Sequence, residues 1–206
     1  MEFAEFLLSR LPPPPARVLE VGCGSGDLAR AVAESGYAVV AIDPEAPGGA
    51  MFRRVSLEGF SDPEPFHAVV AGRSLHHIED LERAVDTIHD LLRGTGSVIL
   101  DEFAWDRMDA ATAAWYLGHV KEPGPKDASL LPGSFPDAWI KEHDDLHESQ
   151  AMISALSRRF HEEFFEWVPY IARHYLERQD IEGEEKGLID SGAIQAIGFR
   201  YVGRRD

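Results

Sequence analysis

The sequence contains one cysteine, Cys23, among 206 residues, and it contains few long apolar runs. A single cysteine cannot form an internal disulfide, which fits the reducing conditions of the cytoplasm. No apolar run approaches the roughly 20 residues that cross a bilayer. The first five residues carry two glutamates where a secretory signal would carry basic residues. We therefore predict a cytoplasmic protein with no membrane partner.

Basic residues are also scarce, since 20 Lys and Arg stand against 36 Asp and Glu, for a formal net charge of −16. Such a surface repels the phosphate backbone that normally supplies most of the affinity for nucleic acid. Adjacent basic residues occur only as pairs, such as Arg53-Arg54 and Arg204-Arg205. We predict no nucleic-acid partner.

What is present is typical of a globular domain, with 44% hydrophobic and 27% charged residues. Apolar periodicity and the positions of proline and glycine predict the secondary structure. The predicted helices are 2–11, 27–34, 79–92, 106–118, 136–159 and 180–190, and the predicted strands are 18–21, 38–42, 53–57, 66–71, 97–100, 163–171 and 196–202. Strands that alternate with helices indicate an α/β fold, a Rossmann-like three-layer sandwich with a largely parallel sheet.

A glycine-rich turn, Gly22-x-Gly24-x-Gly26, joins the first predicted strand to the helix that follows. Glycine lets the backbone turn sharply and approach a ligand that a Cβ would push away. The second strand ends at Asp43, whose carboxylate would lie beside the same turn and suits the two hydroxyls of a ribose. These features predict a site for an adenosine-type cofactor.

Two acids help to choose between cofactors. A dinucleotide fingerprint requires glycine at position 27, but the residue is Asp27, whose carboxylate would repel a diphosphate at the helix N-terminus. Glu20 is foreign to that fingerprint and can reach a ligand's ammonium group, directly or through water. Nicotinamide and flavin cofactors are therefore the second choice.

These residues resemble a known family. Glu20-x-Gly22-x-Gly24-x-Gly26 followed by Asp43 is similar to motif I and the acid after it in class I S-adenosylmethionine-dependent methyltransferases. Residues 66–80 resemble the fourth-strand segment of the small-molecule branch of that family, and 91–96 resemble the loop before its fifth strand. The resemblance covers about residues 17–103.

The resemblance implies a seven-stranded, mostly parallel sheet with an antiparallel closing hairpin and a helical insertion after strand five. It implies S-adenosyl-L-methionine as cofactor and S-adenosyl-L-homocysteine as product. Gly22 and Gly24 would line the methionine moiety, and Asp43 would hold the ribose. Many relatives have an acid at the end of strand three, whereas this sequence has Val55-Ser56-Leu57-Glu58. Leu57 can pack on the adenine ring, and either Glu58 or a backbone group can meet its amine.

The predicted cofactor-binding residues share positions at the ends of the first four strands. They are Glu20, Gly22, Cys23, Gly24, Gly26, Asp43, Leu57, Glu58, Arg73 and Ser74. Cys23 is expected to be a small packed residue of the turn rather than a nucleophile.

Methyl transfer is a direct displacement at a sulfonium, so orientation of the acceptor supplies much of the catalysis. A general base is needed only where the acceptor loses a proton. His76 is the first candidate for that base and His77 the second; alternatively, one of them packs against or caps the next helix. Contacts to the substrate are predicted for four further residues: Glu102, Trp105, His143 and His147.

His143 and His147 would share one face of the helix predicted over 136–159, but no third ligand is evident, so we predict no metal site. We predict one methyltransferase domain in four parts: 1–16 as a helix and proline linker, 17–103 as the cofactor-binding core, 104–160 as a helical substrate-side insertion, and 161–206 as closing strands. The aromatic residues of 103–147 either wall an acceptor pocket or pack a small core of their own.

The sequence therefore predicts a methyltransferase that acts on an oxygen, nitrogen or carbon of a small-molecule acceptor. A non-catalytic adenosylmethionine-binding regulatory protein is an alternative, because it would keep the glycine turn without an acceptor cavity. A dinucleotide-dependent oxidoreductase is disfavoured by Asp27.

Overall fold

The computed structural model describes residues 2–205. Its helices are α1 (Phe3–Arg10), α2 (Asp27–Glu34), α3 (Leu81–Leu91), α4 (Ala110–His119), α5 (Asp137–Glu142), α6 (Ser149–Ser157) and α7 (Glu182–Asp190). Its strands are β1 (Arg17–Val21), β2 (Ala38–Asp43), β3 (Phe52–Arg54), β4 (Phe66–Gly72), β5 (Leu92–Phe103), β6 (His161–Val168) and β7 (Gly198–Arg204).

The strands form one seven-stranded sheet in the order β3-β2-β1-β4-β5-β7-β6. The first five are parallel, whereas β7 and β6 close the sheet in antiparallel fashion. Arg205 N donates to Gly96 O and Ala104 N donates to Ile197 O, so residue numbers fall along one strand as they rise along the other. The predicted fold class, including its antiparallel closing hairpin, is confirmed.

The pairing register places the glycine-rich turn at one edge of the sheet. Val21 is the last residue of β1 and pairs with Ile42 of β2 and with Ala71 of β4. The carboxyl ends of β1, β2 and β4 therefore meet at the same edge, next to the turn that follows β1. Ligands bind at this edge in open parallel sheets.

Continuous apolar runs form the central strands because both of their faces are covered. Val18, Leu19 and the stretch 68–71 are almost completely buried. α1 contributes Phe6 and Leu7 to the core on one face of the sheet.

By compactness the chain divides into two units. The first contains the described residues up to Glu102, together with Gln150–Phe165 and those from Arg200 onward. The second contains Phe103–Ser149 and Glu166–Phe199, and its core is rich in aromatic side chains. The buried rings of that core are Phe103, Trp105, Tyr116, Trp139 and Tyr170.

The single helix predicted over 136–159 is wrong: α5 ends at Glu142 and α6 begins at Ser149. Asp106 explains the second start, because its carboxylate accepts hydrogen bonds from both Ser149 N and Ser149 Oγ at 2.8 Å. A side chain distant in sequence thus provides acceptors at the first residue of α6. Between the two helices lie His143, Asp144 and Asp145, which are weak helix formers.

Several strand predictions also change in extent, including those of β3 and β5. β3 ends at Arg54, and Leu57–Gly59 forms a short 3-10 turn instead of continuing the strand. β5 begins at Leu92, directly after α3, so Gly94 and Gly96 lie within a strand that was predicted to start at Ser97. A Cβ at Gly96 would lie 3.1 Å from His67 O, so glycine allows the two backbones to approach closely here. No helix within residues 2–205 has both the length and the apolar character needed to span a bilayer.

Candidate cofactor site

A cleft of about 340 Å³ lies in the first unit at the sheet edge where β1, β2 and β4 end. That volume is within the range of small-molecule sites. Its lining residues come from the ends of these strands and the turns after them: Val21, Gly22, Ile42, Asp43, Pro44, Val55, Ser56, Leu57, Glu58, Arg73, Ser74, His77, Ile78 and Glu79. Six of the ten predicted cofactor residues therefore lie together in its wall.

The three positions of the turn require glycine for different structural reasons. Gly22, Gly24 and Gly26 all have positive φ, at 73°, 48° and 82°. A Cβ at Gly22 would lie 2.4 Å from Ser74 Cβ, and one at Gly26 would lie 2.4 Å from the Phe52 ring. A Cβ at Gly24 would meet no atom within 4 Å. Gly22 and Gly26 thus serve close packing inside the protein, whereas Gly24 leaves open space that a ligand can use.

Asp43 is tied to this turn by its carboxylate. Its Oδ2 accepts a hydrogen bond from Gly24 N at 3.0 Å, and its Oδ1 accepts one from Glu45 N at 2.8 Å. Each carboxylate oxygen has a second acceptor position. Asp43 therefore has acceptor capacity for two further donors, as the neighbouring hydroxyls of a ribose would require.

The segment after β3 forms the wall of the cleft expected at the adenine end. Leu57 is buried and Glu58 is exposed, and both line the cleft together with Val55 and Ser56. An apolar side chain that can pack on the adenine ring and a carboxylate that can meet its amine are thus both present. Which group meets the adenine amine stays a prediction.

The turn after β4 supplies another part of the cleft wall. Arg73, Ser74 and His77 line the cleft, and Arg73 has φ +58°, an uncommon conformation for a residue other than glycine. Arg73 N donates to Asp101 O at 2.8 Å, which holds this turn against the end of β5. Ser74 Oγ donates to Val21 O at 3.0 Å and so joins the wall to the end of β1.

Glu102, at the end of β5, is completely buried under the same turn. Its Oε1 accepts hydrogen bonds from Ser74 N at 3.0 Å and Leu75 N at 2.8 Å. Its Oε2 lies 2.7 Å from Nδ1 of His76, and His76 is itself buried, with 4% of its surface exposed. The structure therefore turns the Glu102 carboxylate toward the turn, although the sequence predicted a substrate contact for it.

The two predicted histidines have different surroundings. His76 is buried beside Glu102, whereas His77 is exposed and lines the cleft. Their ring centroids are 4.2 Å apart. His77 is thus the histidine that a bound molecule would reach, and His76 lies behind it.

The charge of the cleft suits a cation. Three carboxylates line it, those of Asp43, Glu58 and Glu79, against one guanidinium, that of Arg73. Adenosylmethionine carries a sulfonium, an ammonium and one carboxylate, so its net charge is positive, whereas a diphosphate carries only negative charge. With the open space at Gly24 and the acceptors of Asp43, this balance fits adenosylmethionine.

Glu20 does not line the cleft. It is 6% exposed, and its Oε2 has no hydrogen-bond partner within residues 2–205. Burial raises the pKa of Glu20 to about 7, opposed by a hydrogen bond from the Ala29 backbone and assisted by the charges of Asp43 and Asp27. Its contact with the ligand's ammonium group stays a prediction.

Cys23 is buried within the turn. Burial, with the neighbouring carboxylates of Glu20 and Asp43, raises the pKa of its thiol to about 11. Because the thiolate is the nucleophilic form, this environment favours the predicted packing role.

Three of the predicted substrate residues lie in the second unit. Trp105 and His143 are buried in its core, with their rings 5.8 Å apart and nearly parallel, and His143 Nδ1 lies 2.9 Å from Trp139 O. His147 is half-buried in the segment between α5 and α6, so the two histidines do not share one helical face as predicted. Residues 2–205 contain no group of three or more side chains arranged to hold a metal ion.

The sequence missed several lining residues that carry no motif of their own: Val21, Ile42, Pro44, Val55, Ser56, Ile78 and Glu79. All of them flank positions that were predicted. The only signal was their place at strand ends, because parallel strands bring such positions to one edge.

A seven-stranded sheet of this order, with a glycine turn after β1 and an acid ending β2, defines the class I methyltransferase fold. A family model described as a methyltransferase domain matches residues 2–178. The chain therefore belongs to that methyltransferase family. This membership confirms the predicted class, an enzyme family that uses S-adenosylmethionine as methyl donor.

Two relatives are named ubiquinone biosynthesis O-methyltransferase. The one from Xylella fastidiosa (strain 9a5c) is 32% identical over 111 residues, with 47% of this chain and 45% of the relative covered. The one from Xanthomonas campestris pv. campestris (strain B100) is 32% identical over 129 residues, with 55% of this chain and 53% of the relative covered. This chain thus spans about half the length of these curated relatives.

Solved structures share the fold over most of the chain. An S-adenosylmethionine-dependent methyltransferase from Mesorhizobium loti has a TM-score of 0.63 and 19% identity, with 98% of this chain and 96% of that one covered. The N-methyltransferase NodS from Bradyrhizobium japonicum, solved with S-adenosyl-L-homocysteine, has a TM-score of 0.54 and 14% identity, with 92% and 78% covered. At these identities the likeness establishes the fold.

Proposed function

We propose that this chain transfers the methyl group of S-adenosylmethionine to an oxygen, nitrogen or carbon of a small molecule. The observation that carries the proposal is the cleft lined by Gly22 and Asp43, whose Asp43 carboxylate is hydrogen-bonded to the turn at Gly24. The family supplies the class of reaction, and the cleft supplies a site of suitable size and charge for the donor. The donor, when bound, supplies a methyl group on a positively charged sulfur that is open to direct displacement.

Different residues would bind different parts of the donor. Asp43 would accept hydrogen bonds from the ribose hydroxyls, and the open backbone at Gly24 would allow the methionine part to approach closely. Leu57 would pack on the adenine ring, with Glu58 or a neighbouring backbone group meeting the amine. The carboxylates would favour the cationic donor over its neutral-sulfur product.

A hydroxyl oxygen is the first acceptor to test, because the two relatives at 32% identity are named O-methyltransferases. Transfer to a hydroxyl releases a proton, and the exposed His77, which lines the cleft, would receive it. We expect His77→Ala to lower kcat with a hydroxyl acceptor by about 100-fold or more while the affinity for adenosylhomocysteine stays near that of the parent. An unchanged kcat would remove the proton-accepting role from His77.

The donor site is tested by calorimetry with S-adenosylmethionine, S-adenosylhomocysteine and NADH. We expect binding of the first two and none of the third. Asp43→Ala should weaken adenosylhomocysteine binding by about 10-fold or more, because a charge-assisted hydrogen bond is lost. Asp90→Ala is a matched control, since Asp90 is an exposed aspartate at the end of α3 whose carboxylate contacts His89.

Equal affinity of Asp43→Ala and the parent would contradict the ribose assignment. Tight binding of NADH would contradict the choice of cofactor. The acceptor is then sought by screening small molecules for release of adenosylhomocysteine. Donor binding without turnover on any acceptor class would favour a regulatory binding protein.

A further inference from the structure

We propose that Glu102 is a positioning residue for the donor site, which it builds by fixing the turn 73–77 through its buried carboxylate. The inference deepens the proposed function and rests on it. Glu102 touches no part of the cleft surface itself; its hydrogen-bond partners do, or adjoin residues that do.

The carboxylate is matched to the turn. Oε1 accepts from two successive backbone N–H groups, Ser74 and Leu75, and Oε2 accepts from Nδ1 of His76. A buried carboxylate without partners is highly unfavourable, and so are buried N–H groups without an acceptor. The turn and the acid therefore satisfy each other, and neither retains its arrangement when the other is removed.

Ser74 connects the turn held by Glu102 to Val21 and Gly22, which also line the cleft. Its Oγ donates to Val21 O at 3.0 Å, and its Cβ occupies the space that a side chain at Gly22 would need. Gly22 in turn begins the glycine turn that Asp43 holds through Gly24. A displacement of Ser74 would thus change the turn 73–77 and the glycine turn together.

His76 connects the Glu102 carboxylate to His77. With Nδ1–H committed to Glu102, the His76 imidazole has a single orientation, and the His77 ring packs 4.2 Å from it by centroid distance. His76 is therefore a support for the exposed histidine. This role explains two adjacent histidines of which one is 4% exposed.

A matched control is available in the second unit. Glu185 is also completely buried, and its carboxylate likewise accepts three hydrogen bonds, from the backbone N–H groups of Tyr170, Ile171 and Ala172. Replacing either acid removes a buried carboxylate with three donors. Only Glu102 is bonded to a turn that lines the cleft, so a general loss of stability and a loss of positioning can be separated.

The experiment compares Glu102→Ala, Glu102→Gln, Glu185→Ala and Glu185→Gln by thermal unfolding and by calorimetric titration with adenosylhomocysteine. We expect all four variants to unfold at lower temperature. Glu102→Ala should raise the Kd by about 10-fold or more, whereas both Glu185 variants should stay within about twofold of the parent. Glu102→Gln should raise it several-fold, because it keeps an acceptor for the two N–H groups but loses the charge that strengthens them.

A direct readout is the Nδ1–H proton of His76 in NMR spectra. We expect its hydrogen-bonded signal to be shifted or lost in Glu102→Gln and unchanged in Glu185→Gln. If Glu102→Ala does not fold, Glu102→Gln decides: a Kd and a His76 signal equal to the parent's contradict the inference. Equal losses of affinity in the Glu102 and Glu185 variants would also contradict it. If the parent itself fails to bind adenosylmethionine, the proposed function fails instead.

Discussion

The backbone N–H of Gly24 donates to Oδ2 of Asp43 at 3.0 Å, so the turn after β1 and the acid ending β2 are directly joined. The two residues are 19 positions apart, and only the parallel pairing of β1 with β2 brings them together. Asp43 is therefore part of the turn's structure as well as the group that we propose binds the ribose. Substitutions in the turn must be judged by which of these two roles they disturb.

Alanine substitutions at Gly22 and Gly24 should separate those roles. Gly22→Ala forces a left-handed backbone at φ +73° and a Cβ 2.4 Å from Ser74 Cβ, so we expect a loss of about 2–4 kcal/mol in the free energy of unfolding. Gly24→Ala meets no atom within 4 Å, so its stability loss should be about 1–2 kcal/mol, while the new methyl group enters the ligand's space. Urea unfolding and calorimetric titration with adenosylhomocysteine measure the two effects.

Gly118→Ala is the control, since Gly118 lies within α4 in open space and should gain about 0.5–1 kcal/mol from the better helix former. The assignment is wrong if Gly24→Ala binds adenosylhomocysteine as the parent does. It is also wrong if Gly22→Ala is as stable as Gly24→Ala.

Glu20 should make the stability of the protein depend on pH. Because burial raises its pKa from the ordinary 4.5 to about 7, the folded protein holds a proton on this carboxyl that the unfolded chain releases between those values. The folded state therefore binds more protons than the unfolded state in this window, and stability falls as pH rises through it. The loss at pH 8 relative to pH 4 approaches about 3 kcal/mol.

Urea unfolding of the parent and of Glu20→Gln, at pH 5 and pH 8, isolates this effect. The amide does not titrate, so the variant should gain stability relative to the parent at pH 8 compared with pH 5. Groups other than Glu20 cancel in the difference. A stability difference that is the same at both pH values would show that Glu20 does not titrate in this range.

The donor half of the site is predictable from sequence because its signals are local. The glycines occupy three alternate positions, and Asp43 ends an apolar strand, so each role can be assigned without knowing distant partners. The apolar runs of β1 and β4 are equally local, and they agree with the observed strands to within one residue at each end.

The parts that could not be predicted depend on contacts between distant residues. Glu102 meets the turn 26 to 28 positions earlier in the chain, and no pattern near Glu102 distinguishes a buried clamp from a substrate contact. The separation of α5 from α6 similarly depends on Asp106, which holds Ser149 from 43 positions away. Helical periodicity describes which residues prefer a helix and contains no information about such partners.

Two buried tyrosines should respond oppositely to removal of the hydroxyl. Tyr116 donates its hydroxyl proton to Asp127, a buried carboxylate that also accepts from Gly124 N at 2.7 Å. Tyr201 is fully buried, and its hydroxyl has no hydrogen-bond partner within the described residues 2–205. Burial raises the pKa of both phenols, so both stay protonated at neutral pH.

Tyr116→Phe leaves a buried carboxylate oxygen without its donor, and we expect a loss of about 1–3 kcal/mol in the free energy of unfolding. Tyr201→Phe removes an unsatisfied polar atom at nearly constant shape, so its effect should lie between neutral and a gain of about 1 kcal/mol. Each variant is the control for the other, because both exchange a buried tyrosine for phenylalanine. A loss at Tyr201 as large as that at Tyr116, measured by urea unfolding, would show that the Tyr201 hydroxyl has a partner in solution.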